Sequence, residues 1–291
     1  MKLGFIGLGG MGRPMVGHLL AAGHELVVWS RRPEAADPLL ALGARRVSNP
    51  GELAAASEMV CTNVTGNADV VGLAGQILEG LAPHGIHIDF STIAPFVARD
   101  IAARYVACNR HFVDAPVSGG TAGAQAATLS IMWGGNTELA KRLDPIFSCL
   151  GKTIVRVGEA GAGQVAKACN QLIMVAAIEA SAEAARLARA AGVDFARIRA
   201  AMLGGSAGSR VLDFFGGKMA EREFAAGVEA RLHHKDFVMV MAEATRMGVP
   251  LLVGGVVMQQ LDALMAAGWG TQDTSRLLGV LEKTAANPSL I

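Results

Sequence analysis

At 291 residues the chain exceeds the length at which one hydrophobic core usually stops growing, so two domains are expected. Its 26 Lys and Arg stand against 25 Asp and Glu, a net charge of +1 with no basic run, which excludes the electrostatic footprint of a nucleic-acid or anionic-membrane binder and points to a small-molecule ligand. With 52% hydrophobic and 18% charged residues disorder is excluded, and four separated cysteines (Cys61, Cys108, Cys149, Cys169) without a CxxC pair speak against zinc and against a disulfide framework, fitting a reducing cytoplasm.

The apolar start, Met1-Lys2-Leu3 onward, is broken by Gly7, Gly9, Gly10, Gly12 and Arg13, so it does not read as a signal peptide, and no uninterrupted apolar run reaches spanning length. From residue 2 to 157 short apolar runs (KLGFIG, ELVVW, EMVCTNV, IHIDF, HFVDA, LSIMW, TIVRV) alternate with helical-period stretches. That alternation predicts an α/β domain built on a doubly wound parallel sheet over residues 1–157. Beyond Val157 the β-branched runs cease and Ala/Leu/Met-rich segments are punctuated by Gly204-Gly205, Gly216-Gly217, Gly248-Val249-Pro250 and Gly268-Trp269-Gly270, predicting an all-α domain over residues 158–291. Its first helix, roughly 161–191, is apolar or small nearly all round (Val165, Leu172, Ile173, Val175, Ala176, Ile178), which predicts burial on most sides, between domains or subunits.

Lys2 to Ile6 read as a strand, Gly7-Leu8-Gly9-Gly10-Met11-Gly12 supplies GxGxxG, and a helix follows before the next strand near Glu25. This is the context a Rossmann dinucleotide loop requires. Gly7 makes the tight turn, Gly9 lets the backbone approach a pyrophosphate, and Gly12 allows strand and helix to pack closely, with the phosphates at the helix N-terminus. About 20 residues later an NAD site usually places an acid for the ribose hydroxyls. Here the chain reads Trp29-Ser30-Arg31-Arg32, a hydroxyl and two guanidiniums suited to a 2′-phosphate, so NADP(H) is preferred, with NAD(H) left open.

Three further segments carry the chemistry. Asp89-Phe90-Ser91-Thr92 follows a strand, where ligand contacts gather at carboxyl ends, and Thr92 can hydrogen-bond cofactor or substrate. Asp114 to Gly120 (DAPVSGG) passes from a strand into a small-residue turn whose amides suit a carboxylate. Gly158 to Gln171 holds Lys167 among apolar neighbours, with Asn170 and Gln171 one turn further on. From local sequence alone, Lys167 reads equally well as a snorkelling surface lysine.

Together these segments resemble the β-hydroxyacid dehydrogenase family, which includes 3-hydroxyisobutyrate dehydrogenases, tartronate semialdehyde (2-hydroxy-3-oxopropionate) reductases and, more distantly, 6-phosphogluconate dehydrogenases. The likeness runs along almost the whole chain. It implies interconversion of a small 3-hydroxy acid and its semialdehyde, with Lys167 as general acid/base and Ser118, Gly119, Gly120, Asn170 and Gln171 toward a small carboxylate substrate. It further implies Gly7, Leu8, Gly9, Gly10, Met11, Gly12, Ser30, Arg31, Arg32, Val64, Thr92 and Lys235 toward the cofactor, no metal, and a homodimer or homotetramer. Asn170 at three and Gln171 at four residues after the lysine, with the segments Gly205 to Asp213 and Gly270 to Asp273, resemble the tartronate semialdehyde reductase branch. That branch typically carries an acid where Ser30 stands.

Lys235 lies in Leu232-His233-His234-Lys235-Asp236-Phe237, whose His pair reads as surface residues rather than metal ligands. A lysine at its ordinary pKa of about 10.4 is a poor base at neutral pH, so burial is expected to lower it. Two alternatives stand beside this reading. Imine reductases usually carry aspartate or tyrosine in place of the lysine, and in non-catalytic NADP-binding modules the lysine has been lost; Lys167 and Ser118 favour catalysis.

Overall fold

The computed structural model describes residues 1–283. Two compact units divide the chain, Met1–Lys167 and Ala168–Ile291.

The first unit is built on nine strands: β1 (Lys2–Ile6), β2 (Glu25–Trp29), β3 (Arg45–Arg46), β4 (Met59–Thr62), β5 (Ile86–Asp89), β6 (His111–Asp114), β7 (Val117–Ser118), β8 (Leu129–Gly134) and β9 (Gly151–Gly158). The sheet order is β3-β2-β1-β4-β5-β6-β8-β7, with β9 on β8. Strands from β3 to β6 are parallel, β8 runs antiparallel to β6 and β7, and β9 is parallel to β8. Every residue of β4 and β5 is buried, as expected of strands covered on both faces by crossover helices. Helices Gly12–Ala21, Asn67–Gly80 and Pro95–Ala107 provide crossovers after β1, β4 and β5. The core joins Leu3, Phe5, Val28, Ile88 and Val113 of the sheet to Met15, Val16 and Leu19 of the first helix.

The register aligns the carboxyl ends of five strands. Trp29 is paired with Ile6, Ile6 with Thr62, Thr62 with Asp89, and Asp89 with Asp114, so the last residues of five parallel strands form one row across the sheet. At about 4.8 Å per strand the row is roughly 19 Å long. The segments that follow Trp29, Ile6, Thr62, Asp89 and Asp114 all leave the sheet from this edge.

In the second unit the long helix Ala162–Ala190, which begins in the first unit, is followed by Phe195–Leu203, Arg210–Glu221, Ala230–Met247, Leu252–Ala266 and Leu277–Lys283. Its described residues form no strand, only an isolated bridge between Glu229 and Asp273. Val175, Ile178, Phe215, Phe237, Leu261 and Leu264 centre its core. The caps are chemically ordinary: Ser209 accepts from Leu212 N–H at 3.0 Å and Asp194 from Ala196 N–H at 3.0 Å.

Within its own chain the long helix is buried along part of its surface. Val175 and Ile178 are buried, but Ile173 and Leu187 are 72% and 73% exposed. Its apolar residues therefore form a buried stripe and an exposed stripe, since a helix packed by neighbours on one side presents the rest to solvent.

Candidate active site

The dinucleotide loop begins directly after the row residue Ile6. Gly7 has φ +100°, and a Cβ there would stand 2.1 Å from the Asn63 carbonyl oxygen, so both backbone conformation and space demand glycine. Gly12 packs against Gly7 in turn, where a Cβ would meet its carbonyl oxygen at 1.9 Å. Gly9 differs: nothing lies within 4 Å of a Cβ built on it. The fold does not need glycine at that position, whereas a bound pyrophosphate does. The helix that follows has no acidic residue in its first turn and carries Arg13 there, so its positive end is not opposed. Leu8 is buried, and Gly10 and Met11 complete the turn. These features fit a nicotinamide dinucleotide.

Beyond β2, Ser30 Oγ accepts from Arg32 N–H at 3.4 Å, and the Arg31 guanidinium pairs with Asp69 at 3.0 Å. Arg31 and Arg32 are exposed, and Arg31 is therefore already held by a carboxylate on the helix Asn67–Gly80.

At the β4 and β5 part of the row lies a buried polar network that sequence reasoning did not find. Asp89 Oδ1 accepts from Thr62 Oγ (2.7 Å), Ser91 N–H (3.2 Å) and Ser91 Oγ (2.6 Å). Ser91 Oγ in turn accepts from Val64 N–H at 2.9 Å, which ties the loop after β4 to the loop after β5. Thr62 also lies 2.9 Å from Nε2 of His87, whose ring burial pushes down to about 3 and so keeps neutral. Thr92, half-buried, stands between two backbone groups held by one side chain: Gln164 Nε2 donates to Ser91 O at 2.8 Å, and Ile93 N–H donates to Gln164 Oε1 at 3.1 Å.

The third loop follows β6. Asp114 accepts from the backbone N–H of Gly161 at 2.7 Å and of Gln164 at 2.9 Å, fastening the start of the long helix to the end of the strand. Burial pushes its carboxyl up to about 7, against the pull of those two donors. The chain then runs through β7 into Gly119, with φ +130°, which caps the helix Gly120–Gln125 and leaves Ser118, Gly119 and Gly120 at a helix N-terminus suited to a carboxylate. Lys167 does not reach out to solvent. It is 8% exposed rather than snorkelling, and its Nζ donates to Val117 O at 2.9 Å, the carbonyl just before Ser118.

Within the first unit the structure thus brings Gly7 to Gly12, Ser30 to Arg32, Val64, Thr92, Ser118 to Gly120 and Lys167 onto segments that converge on one sheet edge. In the second unit, Asn170 Nδ2 donates to Gln171 Oε1 at 2.8 Å, Gln171 Nε2 donates to Asp236 Oδ2 at 2.6 Å, and Lys235 lies 3.0 Å from Asp236 Oδ1. The His pair corrects the surface reading. His234, partly exposed, meets Asp262 at 2.8 Å, but His233 is buried with Nδ1 2.7 Å from Thr274 Oγ, because positions 230, 233, 236, 237 and 240 form the inward face of their helix. Among the described residues no group of three or more His, Cys, Asp or Glu is arranged to hold a metal ion, and no helix is long and apolar enough to cross a membrane.

A strand-turn-helix dinucleotide cradle, a buried lysine beside a small-residue turn, and a second unit whose described residues are helical are the features of a nicotinamide-dependent dehydrogenase. Residues 2–158 match the NAD binding domain of 6-phosphogluconate dehydrogenase, and residues 161–281 match a family described as NAD-binding of NADP-dependent 3-hydroxyisobutyrate dehydrogenase. The chain is 39% identical over 290 residues to 2-hydroxy-3-oxopropionate reductase of Escherichia coli (98% of each chain), and 32% identical over 293 residues to an NAD-dependent L-serine dehydrogenase of Pseudomonas aeruginosa (97% of this chain, 98% of the relative). Among solved structures, 3-hydroxyisobutyrate dehydrogenase of Mycobacterium tuberculosis with L-serine superposes with TM-score 0.90 at 29% identity, covering 96% of this chain and 98% of that one. The chain belongs to the β-hydroxyacid dehydrogenase family, NAD(P)-dependent oxidoreductases acting on CH–OH groups.

Proposed function

We propose that this enzyme interconverts a small 3-hydroxy acid and its semialdehyde, with tartronate semialdehyde as the first candidate substrate, NADP(H) as the preferred cofactor and Lys167 as general acid/base. The observation that carries the reading is the placement of Lys167: a buried ammonium or amine, held by the Val117 carbonyl one residue before the turn Ser118-Gly119-Gly120. In that turn Ser118 and the backbone amides of Gly119 and Gly120 receive the substrate carboxylate, which fixes the hydroxyl or carbonyl carbon at a set distance from the lysine.

The nicotinamide, when bound, supplies or accepts the hydride. In reduction the Lys167 ammonium donates a proton to the carbonyl oxygen as it becomes an alcohol; in oxidation the neutral amine takes the hydroxyl proton. The Val117 carbonyl occupies one of the three ammonium protons and so orients Nζ. Thr92 hydrogen-bonds in the space between cofactor and substrate, and Val64 flanks the cofactor. Arg31 and Arg32, with Ser30, receive the 2′-phosphate, while Asn170, Gln171 and Lys235 are further binding residues.

The identity of 39% to a 2-hydroxy-3-oxopropionate reductase supports the substrate class. L-Serine, itself a 3-hydroxy acid, is a second candidate, favoured by the L-serine dehydrogenase relative. Oxidation of NADPH and then NADH is followed with tartronate and methylmalonate semialdehydes, and the reverse with glycerate, 3-hydroxyisobutyrate and L-serine. Lys167→Ala is expected to lower turnover about 10²–10⁴-fold with cofactor binding nearly intact. Unchanged turnover in that variant refutes the role of Lys167.

A further inference from the structure

We propose that Gln164 is a positioning residue whose carboxamide splints the loop carrying Thr92 to the helix carrying Lys167, and so sets the spacing between those two groups during turnover. The proposal rests on the catalytic reading of Lys167 and Thr92 given above.

Gln164 is only 1% exposed. Its two side-chain polar atoms grip the chain on either side of Thr92: Nε2 donates to Ser91 O at 2.8 Å and Oε1 accepts from Ile93 N–H at 3.1 Å. Its own backbone N–H donates to Asp114 Oδ2 at 2.9 Å. One residue thus joins the loop after β5, the end of β6 and the first turn of the long helix, three residues before Lys167. A carboxamide is the side-chain group that can both donate and accept in one rigid plane, as this pairing requires. Gln164 acts by holding the backbone of the loop and of the helix. Because misplacement of about 1 Å can cost on the order of a hundredfold in rate, a splint between the two backbones is a direct lever on turnover.

Two substitutions separate positioning from plain stability. Gln164→Met keeps the length and removes both hydrogen bonds. Gln164→Glu keeps the acceptor for Ile93 N–H, but the oxygen facing Ser91 O can donate only when the carboxyl is protonated. Steady-state kinetics across pH, cofactor titration, and the deuterium isotope effect with deuterated reduced cofactor are measured on wild type, both variants and Lys167→Ala.

Gln164→Met is expected to lose about tenfold to a hundredfold in kcat, keep its cofactor Kd within about twofold, and show a larger isotope effect as the chemical step becomes limiting. Gln164→Glu is expected to recover turnover relative to wild type as pH falls, through protonation of its buried carboxyl, a recovery that Gln164→Met lacks at every pH. Wild-type kcat in Gln164→Met beside an inactive Lys167→Ala overturns the splint alone. Should Gln164→Met not fold, a Gln164→Glu profile that parallels wild type across pH overturns it equally. Full turnover in Lys167→Ala overturns the catalytic reading beneath it.

Discussion

Asp114 accepts the backbone N–H of Gly161 at 2.7 Å, a bond between the last residue of a strand and the residue just before the long helix begins, 47 positions later in the chain. The other oxygen takes Gln164 N–H at 2.9 Å, so one carboxylate satisfies two buried donors at the helix start. Asp114→Ala leaves both N–H groups without this acceptor and is expected to cost about 2–4 kcal/mol of stability, read by urea unfolding. Asp114→Asn keeps one acceptor oxygen and is expected to lose about half as much. Equal stability of Asp114→Ala and wild type rules out the cap.

Gly7 and Gly9 share a motif but answer to different demands. Gly7→Ala meets the Asn63 carbonyl and an unfavourable φ, so it is expected to lower the thermal midpoint sharply before any ligand is added. A Cβ on Gly9 meets nothing within 4 Å, so Gly9→Val is expected to keep a midpoint near wild type while cofactor binding, measured by calorimetry, is lost. Cofactor binding by Gly9→Val at wild-type strength ends the pyrophosphate assignment.

Arg31 is engaged by Asp69 at 3.0 Å, so a 2′-phosphate has to compete with that carboxylate. Arg31→Ala combined with Arg32→Ala is expected to weaken NADPH far more than NADH. Asp69→Asn is expected to strengthen NADPH about two- to fivefold at low salt, the scale of an exposed ion pair, and to leave NADH unchanged. Parallel changes for both cofactors contradict the arginine reading.

Glu179 is buried on the long helix with no hydrogen-bond partner for either oxygen among the described residues, and burial, with Glu183 adding repulsion, raises its carboxyl to about 7. A raised carboxyl means that the folded chain holds this proton more tightly than the unfolded one. The contribution of Glu179 to stability therefore falls as pH rises from about 4.5 to about 7 and is lowest above that window. Asp114 acts in the same direction. Glu179→Gln is expected to stabilise the protein at pH 8 by up to about 3 kcal/mol and to flatten the slope, measured by denaturant unfolding at a series of pH values. A wild-type slope retained in Glu179→Gln excludes this residue as its source.

Seven of the nine strands were legible because each is an apolar run long enough to carry a pattern. The two missed, Arg45–Arg46 and Val117–Ser118, are two residues long; the first is charged and exposed, and the second runs directly into the glycine turn. The glycine loop was legible for the same local reason, since strand, turn and helix are contiguous. Gln164, Ser91 and Asp89 were not, because the bonds that tie them to other segments join positions 27 to 73 residues apart, and no spacing in the chain announces them. His233 was misread because adjacent histidines look alike in sequence, whereas a helix turns 100° between them and buries only one.

The row from Trp29 to Asp114 sorts tolerated from untolerated change. An insertion before it, within a strand, displaces that strand's loop by about 3.3 Å and turns the side chains to the opposite face, so the loop no longer meets its neighbours. An insertion after it lengthens one loop and leaves the other four in place. In such a chain one loop can drift in length and sequence while the strand ends that carry the others stay still.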